Sequence, residues 1–192
     1  MYAQALLDPL HLDSITIPTR IVMAPMTRNK SPNNIPGPDV AAYYRKRAEN
    51  RVGLIITEGT IVEPQTGHGY PDVPDFYGED ALRGWKRVVD NVHEAGGKIF
   101  PQLWHVGSIR QKGMPPTPSV PGYGPSAVRH PSHTDDMKVP EEMTLKEIDH
   151  VVRAFAQAAE QAETLGFDGI ELHGAHGYLI DQFLWDATNK RA

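Results

Sequence analysis

The sequence predicts an α/β fold built on parallel strands, and three observations carry the prediction. Short apolar runs such as GLIIT at 53–57 and KIFPQL at 98–103 alternate with longer stretches whose apolar residues recur at helical spacing. Their order is strand, helix, strand, helix, strand, helix, strand and the start of another helix, which right-handed crossovers join into a parallel sheet. The apolar runs also end on polar or glycine positions, including Thr27, Gly59, Gln102 and His173, as expected where strand ends face a ligand. Periodicity alone leaves two architectures open. One is an open sheet; the other is part of a closed barrel, which needs about eight strand–helix units and roughly 250 residues.

Taken in order, Ile15 and Ile17 alternate with polar neighbours and stop at Pro18, which reads as a short β-ribbon. Arg20 to Met23 reads as the first buried strand, closing on Ala24, Pro25, Met26 and Thr27. Breaker residues mark a loop from Asn29 to Pro38. From Asp39 to Asn50, Val40, Ala41, Tyr44 and Ala48 fall on one helical face. The second strand, Gly53 to Thr57, ends at Glu58 and Gly59, and a Gly- and Pro-rich loop from Glu63 to Asp75 holds His68 and Tyr70. A helix from about Glu79 to Ala95 presents Leu82, Trp85, Val88, Val89 and Val92, and Gly96 and Gly97 end it.

Lys98 to Leu103 is the third strand and leads into Trp104 and His105. The irregular stretch from about Gly107 to Met143 is too long for a plain connector, so a lid or capping excursion is expected there. Thr144 with Glu147 forms a capping box, and Ile148, Val151, Phe155, Ala158 and Ala162 carry a long helix to Leu165, where Gly166 stops it. Ile170 and Leu172 then mark the fourth strand. Leu179, Ile180, Phe183 and Leu184 start the next helix. His173 to Tyr178 therefore sit at a strand-to-helix transition.

Composition narrows the function classes. The 192 residues are 40% hydrophobic and 22% charged, a soluble globular balance. A formal charge of −5 with no basic run argues against nucleic-acid binding. Zero cysteines exclude disulfides, thiolate metal sites and cysteine nucleophiles. No stretch approaches the roughly 20 apolar residues of a membrane span, and the start, MYAQALLDPLHL, does not read as a secretory signal, so a cytoplasmic location is expected.

The densest chemistry lies in GIELHGAHGYLIDQFLW, residues 169–185. His173 and His176 could ligate zinc with Glu171 or His105, but no HExxH pattern is present and no metal is expected. They could also simply hydrogen-bond to hold a tight turn. As a functional pair, two imidazole N–H groups aimed at one point polarise a substrate oxygen. Tyr178 would then donate a proton, if it stays neutral. Gln102 offers an amide edge to a planar heterocycle, while Thr27 and Gly59 offer a hydroxyl and unhindered backbone to a flat ring. Neither a GxGxxG dinucleotide loop nor a Walker loop is present.

RIVMAPMTRN, LIITEGT, FPQLWHVG and above all GFDGIELHGAHGYLIDQFLWDATNKR closely resemble the Old Yellow Enzyme family of FMN-dependent ene-reductases, in the family's order and spacing along nearly the whole chain. The resemblance implies a (β/α)8 TIM barrel, of which this chain supplies about the first four strand–helix units and an N-terminal β-ribbon. Residues 1–192 would be the N-terminal half of a single FMN-binding domain. It implies that Pro25, Met26 and Thr27 contact the flavin, with Gly59 at the same edge, Gln102 on the pyrimidine ring and His173 beside it. His173 and His176 match the pair that holds a carbonyl or nitro oxygen, Tyr178 matches the proton donor, and Tyr70 and Trp104 fall where the family shapes its substrate pocket.

The implied reaction is reduction of an α,β-unsaturated carbonyl or nitro compound, an enone, enal or nitroalkene, by NADPH or NADH through FMN. Family members continue well beyond the TNKR motif, with the later strands and the flavin phosphate site. A homo-oligomer or a complementary C-terminal half are therefore both expected partners. An assembly-only half-barrel without turnover of its own is the alternative reading. One departure is Ser108 with Arg110, where the family carries an arginine directly after the glycine.

Overall fold

A computed structural model describes residues 2–133 and 138–192. A short helix α1 (Tyr2–Leu7), which the sequence reading did not anticipate, precedes an antiparallel ribbon of β1 (Leu10–His11) and β2 (Thr16–Ile17). Then follow β3 (Val22–Met23), α2 (Pro38–Glu49), β4 (Leu54–Ile61), α3 (Glu79–Glu94) and β5 (Lys98–Trp104). The chain continues through β6 (Tyr123–Gly124), β7 (Glu141–Glu142), α4 (Leu145–Leu165), β8 (Glu171–Leu172) and α5 (Leu179–Leu184). The central sheet is parallel, in the order β3-β4-β5-β8, so each strand pairs with the next one along the main sequence of strand–helix units. That sequential order is the one a closing barrel requires.

Strand alternation divides the side chains into two layers. Ile55, Ile99 and Leu103 point outward into the main core, where Val40, Tyr44, Trp85, Val88 and Val92 from the helical layer and Phe167 from the loop after α4 cover them. Leu54, Ile56 and Phe100 point the other way and pack against Leu10 and Ile17, so the N-terminal ribbon forms a floor beneath the inner face. Above that floor the inner face opens toward the strands' C-terminal ends.

The helix boundaries follow from end chemistry. At α4, the Thr144 hydroxyl accepts the Glu147 N–H while Glu147 accepts the Thr144 N–H, and Gly166 closes the helix at φ 87°. The second strand runs to Ile61, past the predicted stop at Glu58 and Gly59. A bulge is the reason: β4 spends three residues from Ile56 to Gly59 where β5 spends two from Phe100 to Gln102, and pairing then resumes. The predicted excursion is largely irregular, with a 3-10 turn at Gly107–Ile109 and the short β6–β7 pair; its residues 134–137 lie outside the described residues. Arg110, fully buried, braces it by donating to the carbonyls of His68, Met114 and Thr117. Among the described residues, no helix is long and apolar enough to cross a membrane.

Candidate active site

Residues from all four parallel strands converge at the C-terminal end of the inner face. Gly59 on β4 lies beside Gln102 on β5, which lies beside Glu171 on β8. One layer higher, the Trp104 ring stacks against His173, with centroids 5.8 Å apart, and against Tyr70 at 5.6 Å. Tyr178 meets Trp104 edge-on at 4.8 Å and His173 at 4.9 Å. The sequence-predicted pocket residues Tyr70, Trp104, His173 and Tyr178 are thus one aromatic cluster. His176 joins it through His173, with ring centroids 5.4 Å apart.

The turn that presents the histidines is held from below. His173 N–H donates to the Leu103 carbonyl and Leu179 N–H to the His105 carbonyl, which lock the two ends of 173–179 to β5 and to the residue that follows it. His176 and Gly177 both take positive φ, 61° and 75°. At Gly177 a Cβ would also strike the His130 ring, so the position demands glycine twice over. Asp181 accepts the Gly177 N–H at 2.7 Å. Fully buried Gln182 donates to the Gly177 and Val106 carbonyls and accepts the Ser108 N–H.

Electrostatics favour neutral groups in the cluster. Burial, with His176 nearby, pushes the His173 imidazole below its ordinary value, so at neutral pH it is an uncharged N–H donor. Burial and the Tyr70 hydroxyl push the Tyr178 phenol well above its ordinary value, which keeps its proton on. The two hydroxyl oxygens lie 3.2 Å apart. Such a group gives up a proton only to a strongly basic centre.

Pro25, Met26 and Thr27 follow the end of β3, with Met26 and Thr27 exposed and Pro25 half-buried. Gln102 donates through Nε2 to Glu171 at 2.8 Å, and its Oε1 has no partner among the described residues. A planar heterocycle fits this arrangement. The buried Trp104 Nε1–H has no partner among the described residues, and Thr27 Oγ1 and Gln102 Oε1 likewise have none there; a Cβ at Gly59 would run into the Trp104 ring, so glycine at this position lets that ring lie against the strand.

His105, weighed in the sequence as a ligand beside the histidine pair, faces away from it. Its Nδ1 accepts the Gly107 N–H, and its Nε2 lies 2.9 Å from the Thr66 hydroxyl, which donates to buried Glu63. Burial pushes the His105 imidazole down to about 4. Glu63 also accepts the Gln65 and Gly67 N–H groups and so shapes the loop that presents Tyr70. Sequence reasoning missed Gln182, Asp181 and His130; the last lines an open cavity of about 460 Å³ beside His176 with Ser132 and Trp185. A glutamine within the apolar run LIDQFL was the one available signal.

The fold and site together define a partial (β/α)8 barrel with an aromatic, histidine-bearing pocket at its strand ends. The chain belongs to the NADH:flavin oxidoreductase / NADH oxidase family, whose sequence profile matches residues 5–192. It is 41% identical to 12-oxophytodienoate reductase 7 of Oryza sativa subsp. japonica over 97% of this chain and 49% of that protein. It is 38% identical to 12-oxophytodienoate reductase 2 of Arabidopsis thaliana over 97% of this chain and 51% of that protein. Morphinone reductase in complex with tetrahydroNAD superposes with a TM-score of 0.90 at 36% identity, covering 98% of this chain and 54% of that one. The old yellow enzyme homologue from Zymomonas mobilis superposes at 0.85 with 37% identity, covering 97% and 53%. The resemblance read from the HGAHGYLIDQFL motif is borne out, and so is the barrel. The chain spans about half the length of these curated relatives.

Proposed function

We propose that the protein carrying this chain is an FMN-dependent ene-reductase acting on α,β-unsaturated carbonyl or nitro compounds, with residues 1–192 as the N-terminal half of its single flavin-binding domain. The observation that carries the reading is the convergence of His173, His176 and neutral Tyr178 above Gly59 and Gln102. Bound FMN would supply hydride to the substrate's β-carbon, having taken it from NADPH or NADH. Thr27, Gln102 and Gly59, with Pro25 and Met26, are the residues to hold its ring edge.

The protein's own contribution is orientation and charge. His173 and His176 donate N–H groups to the carbonyl or nitro oxygen, stabilising the negative charge that builds there as hydride arrives. Tyr178 donates its proton to the α-carbon. The raised Tyr178 value suits a donor that must not ionise before a carbanion-like centre forms beside it. Tyr70 and Trp104 form the pocket wall and exclude water. A cytoplasmic setting suits a reductant drawn from the nicotinamide pool.

A second half-barrel completes the fold on this reading. Leu172 and Leu184, 52% and 78% exposed, line an apolar groove of about 390 Å³ between α4 and α5. A next strand on the β8 edge and its helix would cover that groove. The test is anaerobic: enzyme reduced by NADPH or NADH is mixed with 2-cyclohexenone or a nitroalkene. Flavin reoxidation with saturated product is expected; a flavin that stays reduced in the presence of both substrates and reoxidises only when air is admitted would overturn the assignment.

A further inference from the structure

A buried ion pair lies one residue away from two of the positions assigned to the flavin edge. Arg28, next to Thr27, donates from Nε at 3.0 Å and Nη2 at 2.7 Å to Glu58 Oε1, and its backbone N–H donates to Oε2 at 3.2 Å. Glu58, next to Gly59, is completely buried. The Arg28 guanidinium lies over the Tyr43 ring, 3.9 Å from its centroid. Tyr44 on α2 accepts the Glu58 N–H at 2.9 Å and donates to Oε1 at 3.4 Å.

The β4 bulge explains how a glutamate in a central strand comes to be there. The extra residue turns the Glu58 N–H out of the ladder toward Tyr44. The hydroxyl of Thr57, the residue before, donates to the Glu58 carbonyl and accepts the Gln102 N–H at 3.1 Å. The same bulge therefore reaches Thr27 through Arg28, Gly59 through the chain, and Gln102 through Thr57. These connections tie three separate strand ends to one rigid point.

Resting on the flavin reading above, we propose that Arg28, Glu58 and the Thr57–Glu58 bulge are positioning elements that fix Thr27, Gly59 and Gln102 relative to one another and so set the seat of the flavin's ring edge. Neither Arg28 nor Glu58 is assigned a contact with the ring. Fixing donors before binding removes an ordering cost from binding itself.

The experiment is FMN titration of the flavin-stripped full-length protein, followed by quenching of flavin fluorescence and by the flavin absorption bands. Wild type, Arg28→Lys, Thr27→Ala and the double variant are compared. Arg28→Lys keeps the charge and loses the two-nitrogen grip on Oε1. It is expected to weaken FMN by about tenfold or more, the scale of a charged hydrogen bond. It should also shift the bands in the direction that Thr27→Ala does, and the double variant should bind no worse than the weaker single one. Unchanged affinity for Arg28→Lys, or strictly multiplicative losses in the double variant, would overturn the proposal. Should Arg28→Lys fail to fold, Glu58→Gln, which keeps the side-chain shape, is subject to the same two criteria. Wild-type protein that takes up no FMN would sink the flavin reading itself, a distinguishable result.

Discussion

The hydroxyls of Tyr70 and Tyr178 lie 3.2 Å apart, although 108 residues separate them in the chain. Tyr70 comes from the loop after β4 and Tyr178 from the turn after β8, and Trp104 packs against both rings. The contact orients the Tyr178 hydroxyl and helps hold its proton.

Replacing Tyr178 with Phe is predicted to slow alkene reduction by about 10²-fold or more, the usual scale of general-acid catalysis. Flavin reduction by NADPH should be spared. Stopped-flow measurement of the two half-reactions separates these effects, and equal loss in both would rule out the donor role.

Replacing His176 with Ala is predicted to weaken phenolate ligands, which present an oxyanion where the substrate oxygen would sit, and to lower the alkene half-reaction by about 10²-fold. Ligand affinity is read from the charge-transfer band on titration. Unaltered affinity would remove His176 from the oxygen-binding pair.

Gln182→Leu should destabilise the protein by about 1–3 kcal/mol, because the Ser108 N–H and the Gly177 and Val106 carbonyls lose their partner inside the fold. Denaturant unfolding checks this. A loss smaller than about 0.5 kcal/mol, typical of a surface substitution, would show that the turn does not depend on it.

His105 predicts an acid-sensitive step in stability. Its imidazole titrates at 6.5 when unfolded and at about 4 in the fold, chiefly through burial. Between those values the unfolded chain carries a proton that the folded chain does not, so acid favours unfolding. The His105 contribution should be complete above about pH 6.5 and disappear as pH falls toward about 4. His105→Gln should flatten the denaturation midpoint across that window; an unchanged slope would contradict the assignment.

Much of this architecture was legible in the chain. GLIIT, the Thr144–Glu147 capping box and the Gly166 stop announce their elements because each depends on local chemistry. His173, His176 and Tyr178 were legible because they crowd into one turn. The extension of β4 to Ile61 was hidden, since a bulge depends on the neighbouring strand's register and not on the residues of β4 alone. The Arg28–Glu58 and Tyr70–Tyr178 pairings were hidden for a related reason: each joins residues far apart in sequence that the pairing of the strands brings together. His105 shows the converse, a histidine beside the motif whose ring turns away to serve a loop.

The measurement that bears most directly on the flavin assignment is an absorption spectrum of the purified protein, taken with its intact mass and after addition of excess FMN. Near-stoichiometric bound FMN is expected in a protein well above the 21.3 kDa of these residues, with bands shifted from free flavin. A folded protein of that larger mass that remains colourless after FMN addition and gel filtration would contradict the assignment.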